Sequence, residues 1–143
     1  MENLIEPLNS LLNSDENTYI LVTDIFNRNL QKLQIKHKNI IQVGMLSRTV
    51  TMFAAGMSFE GLNPIILCEG QYFIPDVINQ LNEINRSKVP IIIIGVPCDI
   101  KDNIHKELLK TITFKYDTAN KDNIIEKVSK YRETKQSVYI DFE

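Results

Sequence analysis

An α/β fold, with a mostly parallel sheet and helices on both faces, is predicted by two features of the sequence. Short β-branched runs alternate along the chain with stretches whose apolar residues recur at three and four positions. The runs are also nearly continuous in apolar character, Ile91 to Ile94 most of all, as strands buried on both faces are. Such alternation implies right-handed crossovers between parallel neighbours. Taken in order, Leu4 to Leu12 reads as an N-terminal helix and NSDEN (13–17) as the turn into a first strand, TYILV (18–22). RNLQKLQI then reads as a helix, NIIQV (39–43) as a strand, SRTVTMFAAGMSFEG as a helix and PIILC (64–68) as the third strand. FIPDVINQLNEIN, NIHKELLK and KDNIIEKVSKY read as the later helices, with VPIIIIG (89–95), ITFKY (112–116) and SVYID (137–141) as the strands around them.

The chain has 143 residues, 43% hydrophobic and 24% charged, which suits one domain over 1–143, and it shows no internal repeat, Pro-rich linker or low-complexity tract. Sixteen Lys and Arg against 18 Asp and Glu leave a net charge of -2, so there is no basic field for a nucleic-acid backbone. The longest apolar run falls far short of the roughly 20 residues of a membrane helix. Glu2 and Glu6 stand where a secretory leader carries positive charge, so a cytoplasmic protein is expected. Cys68 and Cys98 each close an apolar run, as buried thiols do, and no metal-ligand spacing is present.

In open α/β sheets the ligand sits beyond the carboxyl ends of the strands. The residues to examine are Thr23 and Asp24, Gly44 to Ser47, Glu69 to Phe73, and Pro97 to His105. Neither GxGxxG nor GxxxxGK[ST] occurs, and Asp24 alone does not make the acidic cluster of a receiver domain.

Residues 40–81 carry a more specific pattern: Val43-Gly44-Met45, then Ser47, Ala54-Ala55-Gly56, Gly61-Leu62-Asn63-Pro64, Phe73 and Gln80. This order resembles the pyrimidine-binding (Pyr) domain of the transketolase group of thiamine diphosphate enzymes, which includes the β subunits of 2-oxo acid dehydrogenases. Val22-Thr23-Asp24 and Ser137 to Ile140 are similar to that family's first strand end and closing strand, so the resemblance covers most of the chain. It implies the thiamine diphosphate-binding Pyr fold and a site for the pyrimidine half of the cofactor, with Gly44, Met45, Ser47, Glu69, Tyr72 and Phe73 as cofactor-binding residues. Gly44 would let the backbone approach a flat ring, and Phe73 would stack on it, a contact contributing about 0.5–1.5 kcal/mol beyond burial. On the residues alone, Phe73 reads as core and Tyr72 as partly exposed.

Three departures from the family pattern shape the functional expectation. Ser47 occupies the position of the family's catalytic Glu, which hydrogen-bonds the pyrimidine; a hydroxyl donates a hydrogen bond but supplies no acidity, and losing a positioned acid costs about 100- to 10,000-fold. On the residues alone Ser47 is a helix N-cap. Glu60 falls at the far end of its helix, whereas Glu69 follows a strand end and is the carboxylate that can approach the ring from another side. His105 stands where the family's substrate-facing histidine occurs, but the glycines before it are absent and Lys101 replaces an Asp. As a bare residue it reads as a solvated helix start; if functional it relays a proton or donates a hydrogen bond. Ser47 and His105 are thus the catalytic candidates, and His37 in IKHKN reads as surface.

The family's diphosphate-binding domain, with its Gly-Asp-Gly metal motif, has no counterpart here, nor has its C-terminal domain. The resemblance therefore implies a separate diphosphate-binding (PP) subunit holding Mg²⁺, in a homodimer or an α2β2 assembly, with a transferase or lyase site shared between chains and no activity in this chain alone. The alternatives are a degenerate Pyr-fold protein acting as a structural or regulatory partner, and an unrelated α/β domain with a small ligand.

Overall fold

A computed structural model describes residues 1–100 and 102–143; Lys101 lies outside the described residues. The elements alternate as α1 (Glu2–Ser14), β1 (Thr18–Thr23), α2 (Arg28–Lys36), β2 (Ile40–Gly44), α3 (Ser47–Phe59), β3 (Asn63–Cys68), α4 (Gly70–Ser87), β4 (Ile92–Gly95), α5 (Ile104–Thr111), β5 (Tyr116–Ala119), α6 (Ile124–Glu133) and β6 (Val138–Phe142). The strands form one sheet in the order β2-β1-β3-β4-β6-β5, every pairing parallel. The α/β sandwich read from the sequence is the architecture of the protein.

Because strand side chains alternate in direction, each strand feeds two separate cores. Ile20, Val22, Ile65, Leu67, Ile92, Ile94, Val138 and Ile140 pack with α1, α2 and α6 on one face. Leu21, Ile66, Cys68, Ile91, Ile93 and Tyr139 pack with α3, α4 and α5 on the other. Both faces are covered over the central strands, which explains why the runs lack a polar alternation. Asn27 caps α2, its Oδ1 accepting from the backbone of Asn29 and Leu30 at 3.0 and 3.1 Å. No helix among the described residues is long and apolar enough to cross a membrane.

One strand differs from the sequence expectation. ITFKY (112–116) looked like the fifth strand, yet α5 runs to Thr111, Thr113 takes φ 56°, and the amide of Phe114 bonds back to the carbonyl of Leu109 at 2.9 Å. Ile112 and Phe114 therefore close the end of α5 against the helical core, with Asn85 Nδ2 donating to the Ile112 carbonyl at 3.1 Å. The strand proper is Tyr-Asp-Thr-Ala at 116–119, an edge strand whose polar residues hid it from the apolar pattern.

Those polar residues anchor α6. Asp117 accepts from Lys127 Nζ at 2.8 Å, from the Tyr131 hydroxyl at 2.7 Å and from the amide of Thr118 at 2.8 Å. Burial alone would raise the Asp117 pKa; the three donors outweigh it and hold the carboxyl at about 2. Burial and that carboxylate push the Tyr131 hydroxyl up to about 12. With the folded value of Asp117 below its ordinary 3.8, the unfolded chain takes the proton first. The resulting stability is fully present above about pH 4 and is lost as the pH falls toward 2, at about 2 kcal/mol in all. Asp117→Ala is expected to remove about that amount at neutral pH and to flatten the acid limb, as measured by denaturant unfolding at a series of pH values.

Candidate functional site

Strand order reverses direction at β1: the chain passes from β1 to β2 on one side and then to β3 on the other. The connections α2 and α3 accordingly lie on opposite faces, and a crevice opens beyond the carboxyl ends of β1 and β3. A cleft of about 530 Å³ occupies it. Thr23 and Asp24 enter from the end of β1, Met45 from the link between β2 and α3, Ser47 from the start of α3, and Glu69, Tyr72, Phe73 and Asp76 from the end of β3 and the first turns of α4. Five of the six cofactor-binding candidates, Met45, Ser47, Glu69, Tyr72 and Phe73, thus share one cavity.

Local structure sets each of them. Gly44 adopts φ +61°, the left-handed region that favours glycine, at a β-bulge where Thr23 pairs with Gly44 while Val22 pairs with Gln42. A Cβ on Gly44 would meet nothing within 4 Å, so turning the chain into α3, rather than making room, is what demands glycine here. Gly44 itself does not line the cleft. Ser47 is the first residue of α3 rather than its cap: Leu46 holds the cap position and gives no side-chain bond. The Ser47 carbonyl accepts from Thr51 Oγ1 at 2.8 Å, and the half-buried residue lines the cavity. The N-cap expectation is therefore corrected by one residue, which releases the hydroxyl from helix duty.

Phe73 is 3% exposed and belongs to the core beneath α4, whereas Tyr72 is 59% exposed at the cleft mouth. Both line the cavity, and Tyr72 is the ring that solvent reaches. The Thr23 hydroxyl is spent on the Leu67 carbonyl at 3.2 Å, tying β1 to β3 under the cleft. Arg48 pairs with Asp76 at 3.2 Å and donates to its carbonyl at 3.1 Å, joining α3 to α4 across the rim. Burial first, then the neighbouring carboxylates of Asp24 and Asp99, raise the Glu69 pKa, so its carboxyl keeps a proton to higher pH than an exposed glutamate. The cleft therefore combines a hydroxyl, a proton-holding carboxyl, an accessible aromatic face and the exposed apolar side chain of Met45.

His105 stands elsewhere. It is not solvated, as its place at a helix start suggested, but 1% exposed, because it shares the inward face of α5 with Leu109 one turn on. Its Nε2 lies 3.9 Å from Asp141 Oδ2, and its ring meets Tyr139 edge-on at 5.7 Å between centroids. His37, expected on the surface, is half-buried with Nε2 2.8 Å from Asn9 Oδ1. Cys68 is buried and Cys98 half-buried, both free; burial, with Glu69 and Asp141 nearby, pushes the Cys68 thiol up and leaves it unreactive. Among the described residues no three His, Cys, Asp or Glu gather as metal ligands.

Sequence reasoning missed Tyr139. A Cβ added to Gly70 or to Gly95 would lie 1.9 Å from its hydroxyl oxygen, so the tyrosine rests on the bare backbone of both. Gly70 opens α4 directly after Glu69, which makes Tyr139 the support of one cleft wall. The only signal in the sequence was a pair of glycines at strand ends, Gly70 and Gly95.

A second cavity of about 390 Å³ lies at the amino ends of β3 and β4, among Asn63, Pro90, Tyr131 and Arg132, away from where α/β sheets bind ligands. An apolar groove of about 700 Å³ runs between α3 and the uncovered face of edge strand β2, lined by Tyr19, Ile41, Met52, Phe53 and Phe59 among others. Met52, Phe53 and Phe59 are 51%, 51% and 80% exposed, while Ala54 and Ala55 face the sheet.

No family model and no curated protein matches the sequence. Among solved structures, one described as a split-gene transketolase, an inactive β4 tetramer, superposes with a TM-score of 0.77 at 16% identity. The fold is transketolase-like. The match covers 98% of this chain and 49% of that one, so the chain spans about half the length of its structural neighbour.

The Tyr139 contact carries a prediction. Gly70→Ala and Gly95→Ala are each expected to lower stability by about 1–3 kcal/mol, since a buried ring must move. Gly56→Ala, with open space around it in mid-helix, is expected to raise it by about 0.5–1 kcal/mol. Denaturant unfolding of the three variants checks the contrast.

Proposed function

We propose that the chain is the pyrimidine-binding subunit of a two-component, thiamine diphosphate-dependent transketolase-like enzyme, and that 1–143 is a single Pyr domain. The observation that carries this is the cleft at the switch point, where Met45, Ser47, Glu69, Tyr72 and Phe73 meet on a transketolase-like fold. About 530 Å³ accommodates a flat six-membered ring. The available chemistry suits an aminopyrimidine: Tyr72 offers a face for stacking, the Ser47 hydroxyl donates to a ring nitrogen, and Met45 adds an apolar side chain at the rim.

The cleft suits only that half of the cofactor. Asp24, Glu69 and Asp76 line it, and Arg48 on its rim is already paired with Asp76, so a diphosphate brought here meets like charge. The diphosphate and its Mg²⁺ thus belong to a separate PP subunit, and this chain alone is not active. Thiamine diphosphate, when bound, supplies the electron sink for cleaving or forming a carbon-carbon bond beside a carbonyl. Glu69 is the residue of this chain able to hold a proton at the cleft, the task that Ser47 cannot perform. The partner, or a second copy, covers the apolar groove beside α3, since so much contiguous apolar surface seeks cover. A split-gene relative in fold that forms an inactive tetramer agrees with a subunit that needs its complement.

A second reading, a degenerate Pyr-fold protein serving as a structural or regulatory partner, is favoured by the serine at position 47. Calorimetry separates the two. The chain alone is expected to give no heat with thiamine diphosphate and Mg²⁺, whereas the chain mixed with its PP subunit binds at micromolar Kd. Phe53→Asp with Phe59→Asp should leave the chain folded and abolish the binding that depends on the partner. Micromolar binding by the isolated chain overturns the split site, and a stable complex with the PP subunit that never binds cofactor favours the degenerate partner.

A further inference from the structure

Under α5, at the carboxyl ends of β4, β6 and β5, lies a second polar cluster that the cleft does not use. Asp141 of β6 is its hub. Asp141 Oδ2 accepts from the Tyr116 hydroxyl of β5 at 3.0 Å and pairs with Lys106 Nζ of α5 at 3.2 Å. Oδ1 lies 3.4 Å from the Tyr139 hydroxyl. His105 faces this hub from the same helix as Lys106, buried, and among the described residues neither ring nitrogen has a hydrogen-bond partner. Buried imidazole nitrogens without partners are costly, and this one has a carboxylate oxygen just out of reach at 3.9 Å.

We propose that His105 is a buried proton switch that acts on the α4 wall of the cleft through Tyr139. A neutral ring gains little from Asp141, which Lys106 and Tyr116 already occupy. A protonated ring gains a charge-assisted bond if the pair closes to about 2.8 Å, a movement of about 1 Å from the observed separation. The Tyr139 ring lies in the way of a free adjustment: it meets His105 edge-on, its hydroxyl is beside Asp141 Oδ1, and that same oxygen rests on the backbone of Gly70 and Gly95. Movement of the Asp141 carboxylate or of the ring is therefore passed to Gly70, and so to Glu69 and Tyr72 in the cleft. The path is a chain of neighbouring groups from the imidazole to the cleft wall.

The groups around the imidazole set its sign. Among the described residues they are Asp141 and Tyr139 from β6, Tyr116 from β5, Lys106 on α5 and Asp102 in the loop before it. Burial lowers the His105 pKa most; Asp141 opposes this, Lys106 adds to it and Asp102 opposes it. The net direction is downward from 6.5, so the ring is neutral at neutral pH. The unfolded chain takes this proton first, and the fold loses stability as the pH drops below 6.5 toward the lower folded value.

The coupling matters for ligand binding only under the function proposed above. The test is made on the ligand-free full chain, so its failure leaves that function standing. In a His37→Asn background, proton NMR follows the one remaining imidazole while amide spectra report Gly70, Glu69 and Tyr72 from about pH 8 to about pH 4.5. The ring is expected to titrate with a midpoint below 6.5, and the three amides to show a component with that midpoint. Glu69, whose own carboxyl titrates above the ordinary carboxylate value, gives a separate component. His105→Gln should abolish the first component and keep the Glu69 one; Tyr139→Phe should leave the ring titrating and uncouple the amides. Should Tyr139→Phe fail to fold, Asp141→Asn serves, lowering the ring midpoint further and shrinking the shared component. The switch is overturned by a ring that titrates with no matching amide component, by a component that survives His105→Gln, or by cooperative unfolding before the ring titrates.

Discussion

The reversal of strand direction at β1 is the constraint on which the rest of the molecule depends. Because β2 and β3 flank β1 on opposite sides, α2 and α3 cannot close over the same strand ends, and a crevice is left where β1 and β3 stop. Everything with chemical interest in the cleft is delivered to that crevice by a strand end or by the helix that follows it. The central strands, buried on both faces, leave no room for polar chemistry elsewhere along their length.

The same topology leaves β2 as an edge whose α3-side face has no helix of its own. Ile41, Tyr19 and the outer side of α3 are therefore apolar and only partly covered, beside a cleft that carries more carboxylate than cation. Under the proposed function the two features belong together: a cleft lined by carboxylates, which disfavours an anionic tail, next to an apolar surface fit for another chain. A subunit that binds part of a ligand and depends on a partner for the remainder is the economical account of both.

The sequence made the sheet legible because parallel strands buried on both faces are apolar throughout, and the helices between them keep a regular stripe. It was least legible at the edge, where Tyr116 to Ala119 are polar on account of α6 and the apolar Ile112 and Phe114 belong to the end of a helix. Position after a strand end was enough to bring Met45, Ser47, Glu69, Tyr72 and Phe73 to one cavity, though the same rule also pointed to Gly44 and His105, which do not line it. What the sequence does not encode locally is contact: that Ser47 sits one place inside α3, that Phe73 turns into the core while Tyr72 turns out, and that His105 faces Asp141 across three elements. Tyr139 was hidden for the same reason, since its meaning lies in two glycines brought to it from 69 and 44 positions away in the chain.

The central claim is that the carboxyl-end cleft receives an aminopyrimidine ring independently of any diphosphate. The most direct measurement is amide NMR of the isolated chain titrated with a free 4-aminopyrimidine to millimolar concentration. The account predicts saturable shifts confined to Met45, Ser47, Glu69 and Tyr72 and their neighbours, weaker at a pH where the Glu69 carboxyl is fully ionised. Shifts centred on the amino-end cavity around Asn63 and Arg132, or none in the carboxyl-end cleft, would contradict it.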